Sequence, residues 1–393
     1  MTNPVVEFLL EQSDRLAELA PECERMGRLT DETAAILRES GIMRMLQPTE
    51  YGGAEAHPRE FIDAVTTVAH ADPAAGWVAG VVGVHPWELG MADERLREEL
   101  WADDPDVWIA SPYAYSGIAT RVDGGYRVSG RWQFSSGTDH CTWVVLGAFV
   151  AGPDGTPAMP IHGLHVVLPR SDYEIVDDSW DVVGLRGTGS KDVVIDDAFV
   201  PDHRILEADA VMSGQLAASA GRTQPLYRIP FWSMFPVGIT AATIGICEGA
   251  LQQHLAYQKD RVLAVGTRVK DDPYIMHAIA EATSEIAASR AHLVANISEL
   301  HDILAEGGEI DWSRRAVTRR DQIRAAWRAV AAVDEIFARS GGNALRMSHP
   351  MQRYWRDAHA GLNHAVHTSG TIYHAATLTS VGAEPAAHLQ ALI

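Results

Sequence analysis

Hydrophobic and polar positions change their period twice along this chain. Over the first hundred residues they recur at helical spacing. In LTDETAAILRESG, Thr30 or Asp31 can cap a helix whose exit is Gly41. YGGAEAHPREF then supplies a glycine and proline break before the next helix. The apolar run AAGWVAGVVGV, Ala74 to Val84, is too short to span a bilayer and reads as a buried helix. From about Trp108 to Arg204 the period becomes two. Tyr126, Val128, Trp132 and Phe134 alternate with polar or small residues after the turn at Asp123 to Gly125, and TWVVLGAFV and GLHVVLP follow as short apolar runs. After about residue 230 the helical period returns. Ile323, Trp327, Val330 and Phe337 mark one face of a helix that stops at Ser340 to Gly342. A last long segment starts at Pro350 and meets breakers only at Gly361 and Gly370. Helices, then strands, then helices predict an α+β protein with segregated layers, divided at 1–105, 106–208 and 209–393.

Bulk composition narrows the task. With 393 residues, 47% hydrophobic and 21% charged, the chain can bury a large core. Lys plus Arg is 32 against 52 for Asp plus Glu, a formal charge of −20 that repels polyphosphate and argues against nucleic acid as partner. Cys23, Cys141 and Cys247 lie far apart and suggest neither a disulfide framework nor a metal knuckle, which fits a reducing cytoplasm. The amino terminus turns acidic at Glu7 and lacks the charge and apolar blocks of a signal peptide, so neither secretion nor a membrane is expected.

Four stretches carry candidate chemistry. GLRGTGSKDVVIDDAFVP, Gly184 to Pro201, nearly spells a phosphate-binding loop. Ser190 precedes Lys191, however, and a strand follows where that motif needs a helix. GRWQFSSGTDHCTW, Gly130 to Trp143, is either a sheet edge with a serine turn or a site where Ser135 or Ser136 bonds the edge of a flat heterocycle that Trp132 or Phe134 covers. In HPMQRYWRDAHAGLNHAV, Arg353, Asp357 and His364 share a face if one helix runs through them, and a histidine there is either a satisfied core residue or a base. The spacing of His359 and His364 is not that of a zinc helix, and no metal is expected. His85, within the apolar run, must find a partner or line a cavity.

Taken in order, YGG with Pro58, WQFSSG, VVGLRGTGSKDVVIDDAFVP, SGGNAL and HPMQRYWRDAHAGLNHA resemble the flavin-dependent monooxygenases built on the acyl-CoA dehydrogenase fold. They are most like the oxygenase components acting on secosteroid phenols and, more distantly, on para-hydroxyphenylacetate. The resemblance implies an amino-terminal helical domain, a barrel-like β domain and a carboxy-terminal four-helix bundle, assembled as a homotetramer. It implies reduced FMN or FAD from a separate NAD(P)H-dependent flavin reductase, molecular oxygen as co-substrate, and hydroxylation of a small aromatic, phenolic substrate through a C4a-hydroperoxyflavin. Ser136, then Ser135, would bond near N5 beside Gly137, and Arg186, Gly187 and Thr188 of the glycine-rich segment would lie on the flavin side. Arg261, with Ser340, Gly341 and Gly342 of a neighbouring subunit, would contact the flavin phosphates. Many acyl-CoA dehydrogenases carry a base glutamate nine residues after the arginine of the RD pair. Ala365 stands there in this chain, so His364 is the implied base, with His367 as fallback. An acyl-CoA dehydrogenase-like FAD oxidoreductase, a nitrogen or sulfur oxygenase, and an indole-oxidising tailoring enzyme remain open on the same scaffold.

Overall fold

The computed structural model of the chain describes residues 3–390 and 393. Helices α1 (Pro4–Glu11), α2 (Ser13–Met26), α3 (Asp31–Ser40), α4 (Pro58–Ala71), α5 (Pro73–Leu89) and α6 (Glu94–Trp101) form the first layer. The Thr30 hydroxyl caps α3 by accepting the Thr33 N–H at 3.0 Å, and Gly41 closes it with φ 75°. Asp72 caps α5 through the Ala74 and Ala75 N–H groups, with Pro73 in the first turn.

Strands β1 (Ile109–Ala110), β2 (Gly117–Val122), β3 (Gly125–Ser135), β4 (Trp143–Val150), β5 (Gly163–Pro169), β6 (Glu174–Val176), β7 (Lys191–Pro201) and β8 (Ile205–Glu207) make one sheet. Its order is β6-β7-β3-β2-β4-β5-β8, with β1 beside β4. The path ends at two short edge strands, β6 and β8, so the sheet is open. Along the β3–β7 pair the register slips between Trp132, opposite Val193, and Ser135, opposite Lys191. Phe134 takes φ 69° in this bulge. The alternation expected through Phe134 therefore fails: its ring is 64% exposed, whereas Ser135 and Ser136 turn inward and are buried.

Short helices α7 (Ala208–Met212), α8 (Gln215–Ser219), α9 (Pro225–Arg228) and α10 (Phe231–Met234) lead into α11 (Pro236–Gln258), α12 (Pro273–Ala305), α13 (Trp312–Ala338) and α14 (Pro350–Leu362), the helical bundle. Helices α15 (Gly370–Ser380) and α16 (Ala387–Gln390) follow. The stretch Phe231–Gln258 is long and apolar enough by composition to cross a membrane, but 89% of its apolar 18-residue window is buried inside the protein. It is the central helix, packed on α4 and α5 on one side and on α12, α13 and α14 on the other. On α13, Ile323 and Val330 face the core as the spacing predicts, and Phe337 stacks on Trp355. Trp327 departs from that face: it is half exposed and anchored by its indole N–H to the His367 carbonyl.

Every residue of α5 is buried. A helix enclosed on all sides needs close neighbours, and Gly80 provides one, since a Cβ added there would lie 2.4 Å from the Gly238 carbonyl oxygen of α11. A Cβ on Gly238 would in turn lie 2.1 Å from the Gly80 oxygen. Gly80→Ala is therefore expected to cost about 1–3 kcal/mol or more by overpacking, whereas Gly370→Ala, with open space around its Cβ, should leave stability unchanged. Denaturant titration of the two variants measures the difference.

Candidate active site

The bulge in β3 starts the site. Ser136 faces α5, where the Trp77 indole N–H donates to its Oγ at 3.2 Å. Ser136 Oγ meets Ser190 Oγ at 2.7 Å, Ser190 meets Thr188 Oγ1 at 2.6 Å, and the Thr188 hydroxyl donates to the Leu185 carbonyl at 2.8 Å. A carbonyl only accepts and an indole only donates, so the chain has one direction: Trp77, Ser136, Ser190, Thr188, Leu185. Each hydroxyl spends its proton on the next, and Ser136 keeps one free lone pair. Its neighbour Ser135 is buried with no hydrogen-bond partner. Gly137, at φ 72°, closes the turn tightly enough that a Cβ would reach 2.8 Å from Val78. A buried acceptor with a free lone pair and an indole thus meet at Ser136, which suits the polar edge of a flat heterocycle.

The glycines of Gly184 to Gly189 serve the packing of this loop against protein. A Cβ on Gly184 would strike the Arg356 carbonyl of α14 at 2.4 Å, and one on Gly187 would meet Ala74 of α5 and Cys23 of α2 at 2.9 Å. Asp357 fastens the same loop by accepting the Leu185 N–H at 2.6 Å. Desolvation pushes that carboxyl up to about 7. Arg186 turns away, donating to Asp181 and to the Val182 carbonyl at the surface. Two other expectations also fail. Trp132 is fully buried within the sheet, its indole N–H on the Gly147 carbonyl at 2.7 Å and its ring filling the space over Gly117 and Gly130. Phe134 lies outside, edge-on to Trp180. The ring beside Ser136 is that of Trp77, hidden in a uniformly apolar run.

Helix α14 stops at Leu362, so His364 does not continue the face of Arg353 and Asp357. It opens a short turn instead, where its Nδ1 accepts the Val366 N–H at 3.2 Å, and its ring lies 5.7 Å from that of Trp77. His364 is partly exposed, and desolvation pushes its pKa down to about 4. With Nδ1 accepting, the proton of the neutral ring sits on Nε2, which makes that nitrogen a donor. His367 is fully engaged: Nδ1–H donates to the Gly361 carbonyl at 3.0 Å and Nε2 accepts from Thr240 at 3.2 Å. Ala365 is exposed in the turn between them.

His85 lies two turns beyond Trp77 on the same face of α5. Its Nδ1–H donates to the Ile109 carbonyl at 2.6 Å, and Nε2 accepts from the Ser111 hydroxyl at 2.8 Å. Burial pushes its pKa down to about 4, so the ring is neutral. The Ser111 hydroxyl, its proton committed to His85, has its oxygen lone pairs left to accept a hydrogen bond from a ligand. Around this pair stand Tyr113, 5.6 Å from His85, and Phe231 and Phe235 against Tyr113. Ser111 escaped the sequence reading because no motif marks it; only the short β1 strand brings it under α5. At 1.5 Å per residue, Trp77 and His85 are about 12 Å apart along α5, enough for one aromatic ring between them.

A third group lies elsewhere. Arg261 and Gly342 line an open cleft of about 720 Å³ with Tyr257, Asn343 and Arg346. Gly341, at φ 74°, leaves room for the Arg261 guanidinium, whose nitrogen would be 2.3 Å from an added Cβ. Ser340 is not part of it, being buried with its oxygen between His254 Nδ1 and the Ile336 carbonyl. His57, His301 and Asp302 also converge. His57 Nδ1 accepts the Arg59 N–H at the start of α4, so Nε2 carries the proton of the neutral ring, 3.9 Å from Asp302 Oδ1.

Comparison with known proteins agrees with this geometry. Residues 237–369 match the family model of the acyl-CoA dehydrogenase C-terminal domain. The chain is 52% identical over its full length to a pigment production hydroxylase of Rhodococcus erythropolis, itself fully covered. It is 41% identical to the flavin-dependent monooxygenase oxygenase subunit HsaA of Rhodococcus jostii, over 91% of this chain and 93% of that one. The crystal structure of 3-HSA hydroxylase from Rhodococcus sp. RHA1 superposes with a TM-score of 0.93, at 39% identity and 99% coverage of both chains. On this likeness along its whole length, the chain belongs to the oxygenase components of the flavin-dependent monooxygenases that share the acyl-CoA dehydrogenase fold.

Proposed function

We propose that this enzyme hydroxylates a phenol, with Ser111 and His85 holding the phenolic oxygen and with Ser136, Trp77 and His364 facing the flavin. Reduced flavin, FMN or FAD, is delivered by a separate NAD(P)H-dependent reductase; when bound it supplies the electron pair that activates dioxygen, of which one atom enters the ring and the other leaves as water. The observation that carries the reading is the pairing of two one-way hydrogen-bond systems on one helix face. At one end Ser136 offers a lone pair to a ring N–H. At the other, the Ser111 hydroxyl donates to His85, which leaves its oxygen free to accept the hydrogen bond of a phenol O–H and to orient the ring for attack. His364, implied by resemblance as the base, serves in its present tautomer as a hydrogen-bond donor from Nε2 between the two ends. Val81, Val78 and Val82 keep the space apolar and exclude water from the oxygen transfer.

The enzyme is further proposed to be a cytoplasmic homotetramer. Val262, Val265, Leu345 and Met347 are strongly exposed around the Arg261 cleft, an apolar rim that a neighbouring subunit would cover while its flavin phosphates meet Arg261 and Arg346. All three cysteines are free thiols, in keeping with a reducing compartment. Light scattering of the purified chain should give four times the 42.8 kDa protomer mass.

The two ends are separable by mutation. Ser111→Ala is expected to lower the rate of phenol hydroxylation by about 10² or more while reduced flavin is still consumed, with hydrogen peroxide as the product. Ser136→Ala should instead speed peroxide release even without a phenol. Wild-type hydroxylation by Ser111→Ala overturns the assignment of the phenol end. Acid stability tests the neutral imidazoles. Unfolded histidines titrate near 6.5, whereas His85, His364 and His367 are held well below that, so the unfolded chain binds more protons between pH 6.5 and 4. Stability is present above pH 6.5 and falls as pH drops toward 4. Urea midpoints should decline over that window, and less steeply in His367→Gln.

A further inference from the structure

Arg319, on α13, is a buried cation without a counter-charge. It is 2% exposed, and no carboxylate accepts from it among the described residues. Asp321, two positions on, is turned to His292 and Arg320 at 3.1 and 2.8 Å. The Arg319 Nε is enclosed with no acceptor. Burial pushes its pKa down to about 10, which leaves the guanidinium charged at neutral pH. An unpaired charge inside a protein weakens the fold, so the purpose of this one lies in what it reaches.

It reaches in two directions. Its Nη2 donates to the Val366 carbonyl at 2.8 Å, and the N–H of the same Val366 is accepted by His364 Nδ1 at 3.2 Å. The cation therefore grips the residue that fixes the His364 ring and its tautomer. Its Nη1 donates to Gln322 Oε1 at 2.9 Å, and the Gln322 amide donates to the Ser233 carbonyl of α10 at 2.7 Å. On either side of Ser233 stand Phe231 and Phe235, whose stacked rings both meet Tyr113 at the phenol end. Gln322 is fully buried, so water does not replace either bond. A guanidinium holds its donors in a rigid fork, which sets the two acceptors in one relative position. Thr240 and Trp327 also tether the turn, through His367, but neither bond runs to α10.

We infer that Arg319 is a positioning residue that ties the His364 turn to α10, so that the flavin side and the phenol side of the site keep their spacing as one unit. Its effect on turnover rests on the proposed placement of flavin and phenol, whereas the tie itself does not. A movement of α10 on seating an aromatic ring is passed through Gln322 and Arg319 to the turn beside Trp77. Without the tie both ligands still bind, but their register is lost, and oxygen is released as hydrogen peroxide in place of hydroxylated product.

Hydrogen exchange of the ligand-free, full-length protein reads the tie directly. Gln322→Leu cuts only the arm to α10, yet amides in both 231–235 and 364–368 should exchange about tenfold or more faster. Arg319→Met should loosen the same two segments, and the double variant should add nothing further. Arg319→Lys keeps the charge but offers a single point of donation, so it should not restore them. Unchanged exchange in α1 and a cooperative melt report a folded protein, and Gln322→Leu with Arg319→Lys decides the matter if Arg319→Met does not fold. Loosening confined to 231–235 in Gln322→Leu, or full rescue by Arg319→Lys, overturns the inference. Turnover is scored separately with reduced flavin and para-cresol. Arg319→Met should raise the share of flavin lost to peroxide by about fivefold or more, with KM for para-cresol within about twofold of wild type. An unchanged share despite loosened segments overturns the positioning role. A wild type that hydroxylates no phenol defeats the phenol reading, while matched loosening of the two segments still upholds the tie.

Discussion

Complete enclosure of α5 is the constraint on which the rest of the structure depends. A helix with solvent on one face can leave polar groups to water, but α5 has no such face, so each polar atom it carries must be matched internally. The Trp77 indole is matched by Ser136, and His85 by Ile109 and Ser111. Glu88 is matched on one oxygen by His165 at 2.6 Å. The reacting groups are thus held by the same bonds that make burial of the helix tolerable. Fold stability and site geometry have a common source here, and the Gly80–Gly238 contact that brings α11 against α5 belongs to both.

The sheet contributes by an irregularity. A regular β3 would have sent Phe134 inward and left one of the two serines outside. The extra residue opposite Asp192 reverses this and delivers both serines to the interior, where the glycine-rich loop completes the hydroxyl chain with Thr188 and Ser190. That loop owes its glycines to the crowding of α2, α5 and α14 around it, with Asp357 and Arg356 fixing it from the bundle side. All three layers therefore meet at the buried serines.

Much of the fold was legible in the sequence because its signals are local. Thr30, Gly41, Pro58 and Pro350 act within a turn of where they stand, and the switch from helical to alternating period near Trp108 is visible in any window. Ser135 and Ser136 could be singled out from one strand end. Trp77 could not, because a helix apolar on every face has no period to betray which side meets the ligand. Trp132 and Phe134 were misread for a related reason: alternation predicts faces only while the register holds, and a bulge depends on the partner strand. The shared face of His364 with Arg353 and Asp357 failed on helix length, since α14 ends at Leu362, directly after Gly361. Ser111 depends on a contact between distant segments, which single-chain patterns do not encode.

The gap between α5 and the two-helix turn at α9 and α10 has an evolutionary side. Backbone locked glycine against glycine leaves little freedom to reshape the catalytic wall, because any added carbon on α5 near Gly80 collides with main chain. New preferences for a different aromatic compound must then arise on the opposite wall, in Ala208 to Phe235, where short helices and proline joints can be exchanged without unseating the chemistry. Divergence among such oxygenases would be written in that strip, with the enclosed helix as the part that stays.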